Sequence, residues 1–265
     1  MAKATAAASS VQNSSALKGL ARVGYGVDGV LNILIGALAI ATVVGASGAS
    51  ADQSGALQTI AQQPFGLVLL WVIAAGLAGL AIFYLASGIT TRGSDRDTWM
   101  KRAKFIGKAV VYAALTALAV SVAVGSGSSG GGGESMTAKL LGNPAGVVLV
   151  VLIGLGTLGV GVYQVVKGAK QKFFDDLTPP PASIRKPVTI VGTLGYIAKG
   201  IAIATIGILF IVAAFTHDSS NTAGIDGALQ TLAALPFGAV ILSVVALGFI
   251  LFGVYCFVRA RFARL

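Results

Sequence analysis

The stretch SGALQTIAQQPFGLVLLWVIAAGLAGLAIFYLASGIT, residues 54–90, decides the fold. From Phe65 to Thr90 it carries no charged residue. A helix of about 20 such residues, rising 1.5 Å per residue, crosses a hydrocarbon core of about 30 Å. The segment therefore reads as a membrane span entered through a turn at Pro64. Five further apolar blocks have similar length, and the spacing predicts spans at 22–44, 65–90, 105–125, 145–167, 188–215 and 237–258. Composition agrees: with 55% hydrophobic and 11% charged residues, the chain of 265 residues has too little polar surface to coat a soluble core. Residues 1–20 lack the apolar centre of a cleavable signal sequence, so the first span is expected to direct insertion.

The same stretch recurs. SGALQTIAQQPFG at 54–66 returns as DGALQTLAALPFG at 226–238, and GNPAG at 142–146 holds the corresponding place between them. Pro64, Pro144 and Pro236 each open an even-numbered span, with the missing N–H expected in the first helical turn. Twelve residues beyond each proline stand Gly76, Gly156 and Gly248, and nineteen beyond stand Phe83, Tyr163 and Tyr255. In the odd-numbered spans Tyr25, Phe105 and Tyr196 correspond, each followed three residues later by a charge: Asp28, Lys108 and Lys199. The expected organisation is a disordered cytoplasmic tail over 1–15, repeats at 16–92, 98–173 and 188–265, and a proline-rich cytoplasmic linker at 174–187. Pro179, Pro180, Pro181 and Pro187 should keep that linker extended. The Gly-Ala-Leu-Gln-Thr segments read as short helices outside the spans, and GSGSSGGGGES at 125–135 as a flexible spacer. The fold class is thus an all-α membrane protein of six transmembrane helices in three tandem two-helix repeats. All repeats enter the membrane in one direction, which makes a pseudo-threefold axis along the membrane normal the expected symmetry.

The net charge of +10 reports topology. Every Lys and Arg except Lys139 lies before or at the start of the first span, between or just inside spans two and three, between or within spans four and five, or beyond the end of span six, whereas the other loops carry Asp52, Glu134, Asp218 and Asp226. Short basic loops stay in the cytoplasm, so both termini are expected there, in a bacterial plasma membrane. The basic face should attract anionic lipid headgroups. No basic segment is interleaved with exposed aromatics, so nucleic acid is not an expected partner.

The Gly-Tyr or Phe at the start of the odd spans (Gly24-Tyr25, Phe105, Gly195-Tyr196), the GALQT strings and the Pro-Phe-Gly entries at 64–66 and 236–238 together carry a family resemblance. Over about residues 16–260 the chain resembles an actinobacterial membrane family known as domain of unknown function 1206. Repeat two departs from the pattern, with Ala145 in place of the phenylalanine and no GALQT string. The resemblance implies architecture and brings no activity, cofactor or site residue with it.

Candidate chemistry is sparse. Gly154-Leu-Gly-Thr-Leu-Gly159 matches a dinucleotide-binding pattern but lies inside a span, where glycines let helix backbones approach. Gly76, Gly156 and Gly248 are accordingly expected at close helix crossings, and Gly79, Gly161 and Gly253 are read in the same way. His217 beside Asp218 falls short of a triad or a metal site, and Asp175-Asp176 reads as a surface pairing partner in a basic linker. Cys256 stands alone and reads as a small buried apolar side chain. No catalytic residue, metal ligand or cofactor is expected. The sharper candidate is an intramembrane polar cluster of Asp28, Asn32, Lys108 and Lys199, with Gln164 in span four as a further polar group. Lys108 and Lys199 can snorkel to headgroups, but Asp28 is too short, so it is expected to face the interior and pair with one of them. Two functional classes fit. The preferred one is a non-enzymatic structural or accessory membrane protein that packs as a homo-oligomer or within a larger complex. The alternative is a small-solute or ion pathway, disfavoured by the scarcity of polar groups to line it.

Overall fold

The computed structural model describes residues 14–45, 50–91, 96–125, 140–216, 229–231, 233–234 and 236–264, and is helical among them. Residues 1–13 of the tail expected over 1–15, residues 126–135 of the spacer expected over 125–135 and the His217-Asp218 pair lie outside the described residues, whereas Ser15 already belongs to the first helix. In chain order the helices are α1 (Ser15–Val43), α2 (Gln53–Ala61), α3 (Gly66–Thr90), α4 (Arg96–Ala123), α5 (Pro144–Ala169), α6 (Ala182–Thr216) and α7 (Gly238–Phe262), with a 3-10 turn at Lys172–Asp176 between α5 and α6. Six of them, all but α2, are long and apolar enough to cross a membrane. In each repeat a leading helix (α1, α4, α6) is followed by a trailing helix (α3, α5, α7).

The first GALQT segment forms α2, whose start is held by the Asp52 carboxylate accepting from the Gly55 N–H at 2.8 Å. The entries to α3 and α7 differ from expectation. Pro64 and Pro236 precede the helices rather than occupying their first turns, because Phe65 and Phe237 adopt left-handed backbone angles, φ 63° and 62°, which no helix can run through. Only Pro144 sits at a helix start, behind Asn143, whose side chain accepts from the Ala145 N–H at 3.1 Å. The linker differs too. Lys172–Asp176 is wound as a 3-10 turn, and α6 begins at Ala182, so Pro187 lies inside a helix. The Pro181 carbonyl accepts from the Ile184 N–H at 3.1 Å and starts α6. Pro187 then removes one bond near the helix start, where the loss is least disruptive.

The chain divides into two compact units, one of Met1–Gly29, Ile60–Gly127 and Cys256–Leu265, the other of Val30–Thr59 and Ser128–Tyr255. The boundary does not follow the repeats: α4 and α5, the two helices of the middle repeat, belong to different units. The middle repeat also differs in sequence at a position where the other two need glycine. In repeat one, a Cβ on Gly24 of α1 would strike the Gly76 carbonyl and, at 2.6 Å, Leu80 of α3. In repeat three, one on Gly195 of α6 would lie 2.6 Å from the Phe252 Cα of α7. These are equivalent crossings, and both need a residue without a side chain. At the matching place α4 has Lys104, an exposed lysine.

Gly76 and Gly248 sit against their own leading helices, Gly76 with its Cβ position 3.2 Å from the Gly24 Cα and Gly248 against the Ala198 Cβ. Gly156 corrects the expectation of a third such crossing, since a Cβ there would meet nothing within 4 Å. Leucine at Gly156 should therefore change thermal stability in detergent by less than about 0.5 kcal/mol, or raise it slightly through helix propensity.

A second kind of crossing recurs between repeats. Within the second unit α5 packs on α6: a Cβ on Gly207 would lie 2.7 Å from the Gly154 carbonyl and 2.8 Å from the Leu158 Cα. In the same unit α7 packs on the outer half of α1: a Cβ on Gly36 would lie 2.6 Å from the Ala246 carbonyl and 2.7 Å from the Ile250 side chain. Gly36 and Gly207, Ala246 and Gly154, and Ile250 and Leu158 are equivalent repeat positions, so the two crossings share one register. Within the first unit α3 packs on α4 with Gly88 against Phe105 and Ile106, matching Gly168 against Tyr196 and Ile197 between α5 and α6. Each trailing helix thus packs on the leading helix of the next repeat, and the last on the first.

Candidate functional site

This inter-repeat register places a cation on an aromatic ring. In the second unit the Lys167 ammonium of α5 lies 5.0 Å from the Tyr196 ring centre of α6. In the first unit the Arg259 guanidinium of α7 lies 4.4 Å from the Tyr25 ring centre of α1. Lys167 and Arg259 both stand 23 residues after their span's proline, and Tyr25 and Tyr196 are equivalent, so this is one clasp built twice. Lys167 and Arg259 are buried, with 5% and 7% of their surfaces exposed. A ring face supplies a cation with about 0.5 to 2 kcal/mol where water is excluded. The third copy of the column has lost the pair: Ser87 replaces the cation and donates to its own helix at the Phe83 carbonyl, 2.8 Å away, and Phe105 replaces the tyrosine.

Around Arg259 the first unit assembles a polar and aromatic cluster. Arg259 donates to the Tyr84 hydroxyl at 2.9 Å, and the Tyr84 and Tyr25 hydroxyls bond each other at 2.6 Å. The Tyr84 ring stacks on Tyr112 at 5.7 Å and on Phe105 at 6.3 Å between centres. The Tyr112 hydroxyl donates to the Asp28 carboxylate at 3.4 Å, and the Cys256 thiol points at the same oxygen from 3.6 Å. Lys108 joins the cluster with its ammonium 4.7 Å from the Tyr84 ring centre. Asp28 and Lys108 therefore meet the same pair of stacked tyrosines, the first at a hydroxyl and the second at a ring face. Asp28 is buried, and Cys256, read from sequence as an apolar filler, is in polar contact with it.

The second unit closes its clasp with the linker. Lys167 forms an ion pair with Asp176 of the 3-10 turn. Asp176 thus holds a buried lysine rather than a surface cation. Phe173 of the same turn is fully buried, stacked on Tyr196 at 5.7 Å and edge-on to Tyr255 at 5.3 Å, and its carbonyl accepts from the Tyr255 hydroxyl at 3.3 Å. A Cβ on Gly192 would lie 2.6 Å from the Phe173 ring, so the ring fits only because that residue is glycine. Of the remaining candidates, Lys199 places its ammonium 4.1 Å from the Phe252 ring centre, and Asn32 is buried in this unit.

The repeat pattern aligns the Tyr25 and Asp28 columns, whereas Lys167 and Arg259 read from sequence as topological charges at span ends. The same alignment, carried 23 residues beyond each proline, exposes the Ser87, Lys167, Arg259 column. Tyr84, Tyr112 and Phe173 belong to no repeated column and could be found only in three dimensions.

Six apolar helices in three tandem pairs, with charged groups clasped on rings between repeats, define a multi-pass helical membrane protein built by internal repetition. The profile of the family described as Domain of Unknown Function (DUF1206) matches the chain three times, at residues 23–91, 103–171 and 194–263, and the chain belongs to that family. It is 34% identical over 256 residues to "Uncharacterized protein YxxB" of Bacillus subtilis (strain 168), covering 94% of this chain and 92% of that protein. No solved structure matches it.

Proposed function

We propose that the protein is a non-enzymatic structural or accessory component of the plasma membrane, with both termini in the cytoplasm and its basic face on anionic headgroups. The observation that carries this reading is where its surfaces go. Half of the apolar stretch of α3 and of α7 is buried inside the chain, against 11% for α4 and 22% for α5. The middle repeat therefore offers most of its apolar face outward, to lipid, to a second copy or to a larger complex. The buried charged groups, meanwhile, are engaged by rings, hydroxyls and a carboxylate, an arrangement suited to holding helices together.

Vesicles reconstituted with the pure protein test the reading. Ion and small-solute leakage should equal that of empty vesicles, and single cysteines at the exposed Val110 and Leu152 should crosslink between copies, or to a co-purified subunit, in native membranes. Flux above background that is abolished by Arg259→Met would establish the pathway reading instead. Orientation has its own test, in a Cys256→Ala background: cysteines at Ser128 and Asn221 should react with an impermeant thiol reagent added to intact cells, and one at Ser94 should not. Labelling of Ser94 would reverse the topology.

A further inference from the structure

Two strained residues have no packing partner that accounts for them among the described residues. Phe65 and Phe237 both hold the left-handed conformation that bulky L side chains rarely adopt, yet the two residues are 86% and 85% exposed. Their backbones are fixed. Each carbonyl accepts the first helical bond of its span, from Leu69 N–H and Ile241 N–H, both at 3.1 Å. The glycine that follows each has no room for a Cβ, which would strike the Ile60 carbonyl at Gly66 and the Ala233 carbonyl at Gly238. Glycine in place of either phenylalanine would take the same φ without strain, so the turn does not require a ring. Among the described residues neither ring has a buried packing site, which directs attention to the medium around the span.

Its surroundings say what lies there. Both rings stand at the first residues of a membrane span and continue an outward apolar surface, with Leu67 and Val68 beyond Phe65 and Val240 beyond Phe237, all more than half exposed. The medium at the end of a span is the boundary between headgroups and acyl chains, where Trp and Tyr concentrate and where Phe and Leu side chains of interfacial elements bury their apolar surface. Two repeats reach this arrangement with the same tripeptide, while the middle repeat caps its helix through Asn143 and has no ring at that place. We infer that Phe65 and Phe237 are interfacial anchors: the left-handed turn aims each ring into the headgroup–acyl boundary of the lipid surface and so sets the depth of α3 and α7.

Depth-resolved fluorescence tests this. In a Trp71→Phe, Trp99→Phe background, Phe65→Trp and Phe237→Trp each carry one reporter, and a Trp99→Phe protein keeps Trp71 as a reference six residues into the span. Each is reconstituted in phosphatidylcholine vesicles brominated near the headgroup or deep in the acyl chain. The tryptophans at 65 and 237 should be quenched about twofold or more better by shallow than by deep bromines, and Trp71 better by deep ones. Emission at 65 or 237 that ignores both lipids while Trp71 responds would overturn the inference. That outcome would show a correctly inserted protein whose rings meet water or a protein partner. Phe65→Gly supplies the second measurement. Its melting temperature in detergent should stay within a few degrees of wild type or rise, and a large fall would mean that the ring packs against the chain after all.

Discussion

Leucine at Gly161 should lower the stability of the detergent-solubilised protein by about 3 kcal/mol or more, while leucine at Gly156, on the same helix, leaves it unchanged. A Cβ at Gly161 would strike the Ala204 N and lie 2.7 Å from both the Ala204 Cα and the Gly200 carbonyl of α6. These are backbone atoms, which cannot rotate aside as a flexible side chain would. Relief requires α5 and α6 to separate, and with them the register that brings Lys167 over Tyr196 and Gly168 against Thr193 and Tyr196. The comparison within one helix removes insertion and helix propensity as explanations, since both substitutions add the same side chain to the same span. Equal melting temperatures for the two variants would mean that α5 does not cross α6 at these glycines.

Alanine at Asp176 should cost about 2 to 4 kcal/mol, because it leaves the Lys167 ammonium buried without its carboxylate. The Lys167 side chain is 6% exposed and that of Asp176 28%, so the loss falls almost wholly on the lysine, which has little access to water. The Tyr196 ring retains part of the attraction and keeps the effect below that of a bare buried charge. Asp176→Asn should fall between alanine and wild type, because the amide oxygen still accepts a bond from Lys167 without neutralising it. Adding Lys167→Met to Asp176→Ala should recover most of the loss, the double variant replacing an ion pair by an apolar fill. Thermal unfolding of the four proteins measures this. A wild-type melting temperature for Asp176→Ala would show that Lys167 reaches headgroups once released, and that the 3-10 turn is held by Phe173 alone.

The number and kind of elements followed from the sequence because the hydrophobic blocks needed for a bilayer are long, uncharged and repeated; six spans, three repeats and the helical GALQT segment at 53–61 were all legible in residue pattern. Span edges were less so. Pro64 and Pro236 looked like helix-opening residues, and only the left-handed backbone at Phe65 and Phe237 moved the helix starts two residues onward. Pro187 looked like linker because proline disfavours helix, yet one lost bond near a helix start is easily outweighed by packing.

Which residues do the holding was decided by tertiary structure. The repeat alignment put Gly76, Gly156 and Gly248 in one column, but a glycine matters only where another helix arrives. Gly156 meets nothing, in the one repeat whose leading helix carries Lys104 instead of glycine. Charge told the same story from the other side. Counting lysines and arginines predicts which loops stay in the cytoplasm, since translocation responds to charge near a span and not to its neighbours. Whether Lys167 and Arg259 dissolve in headgroups or are buried on Tyr196 and Tyr25 depends on the register of helices from different repeats. The sequence by itself determined that this chain spans a membrane six times in three repeats, because lipid reads each segment separately; the clasps, the Phe173 insertion and the Asp28 contacts required the third dimension, because each joins residues that only packing brings together.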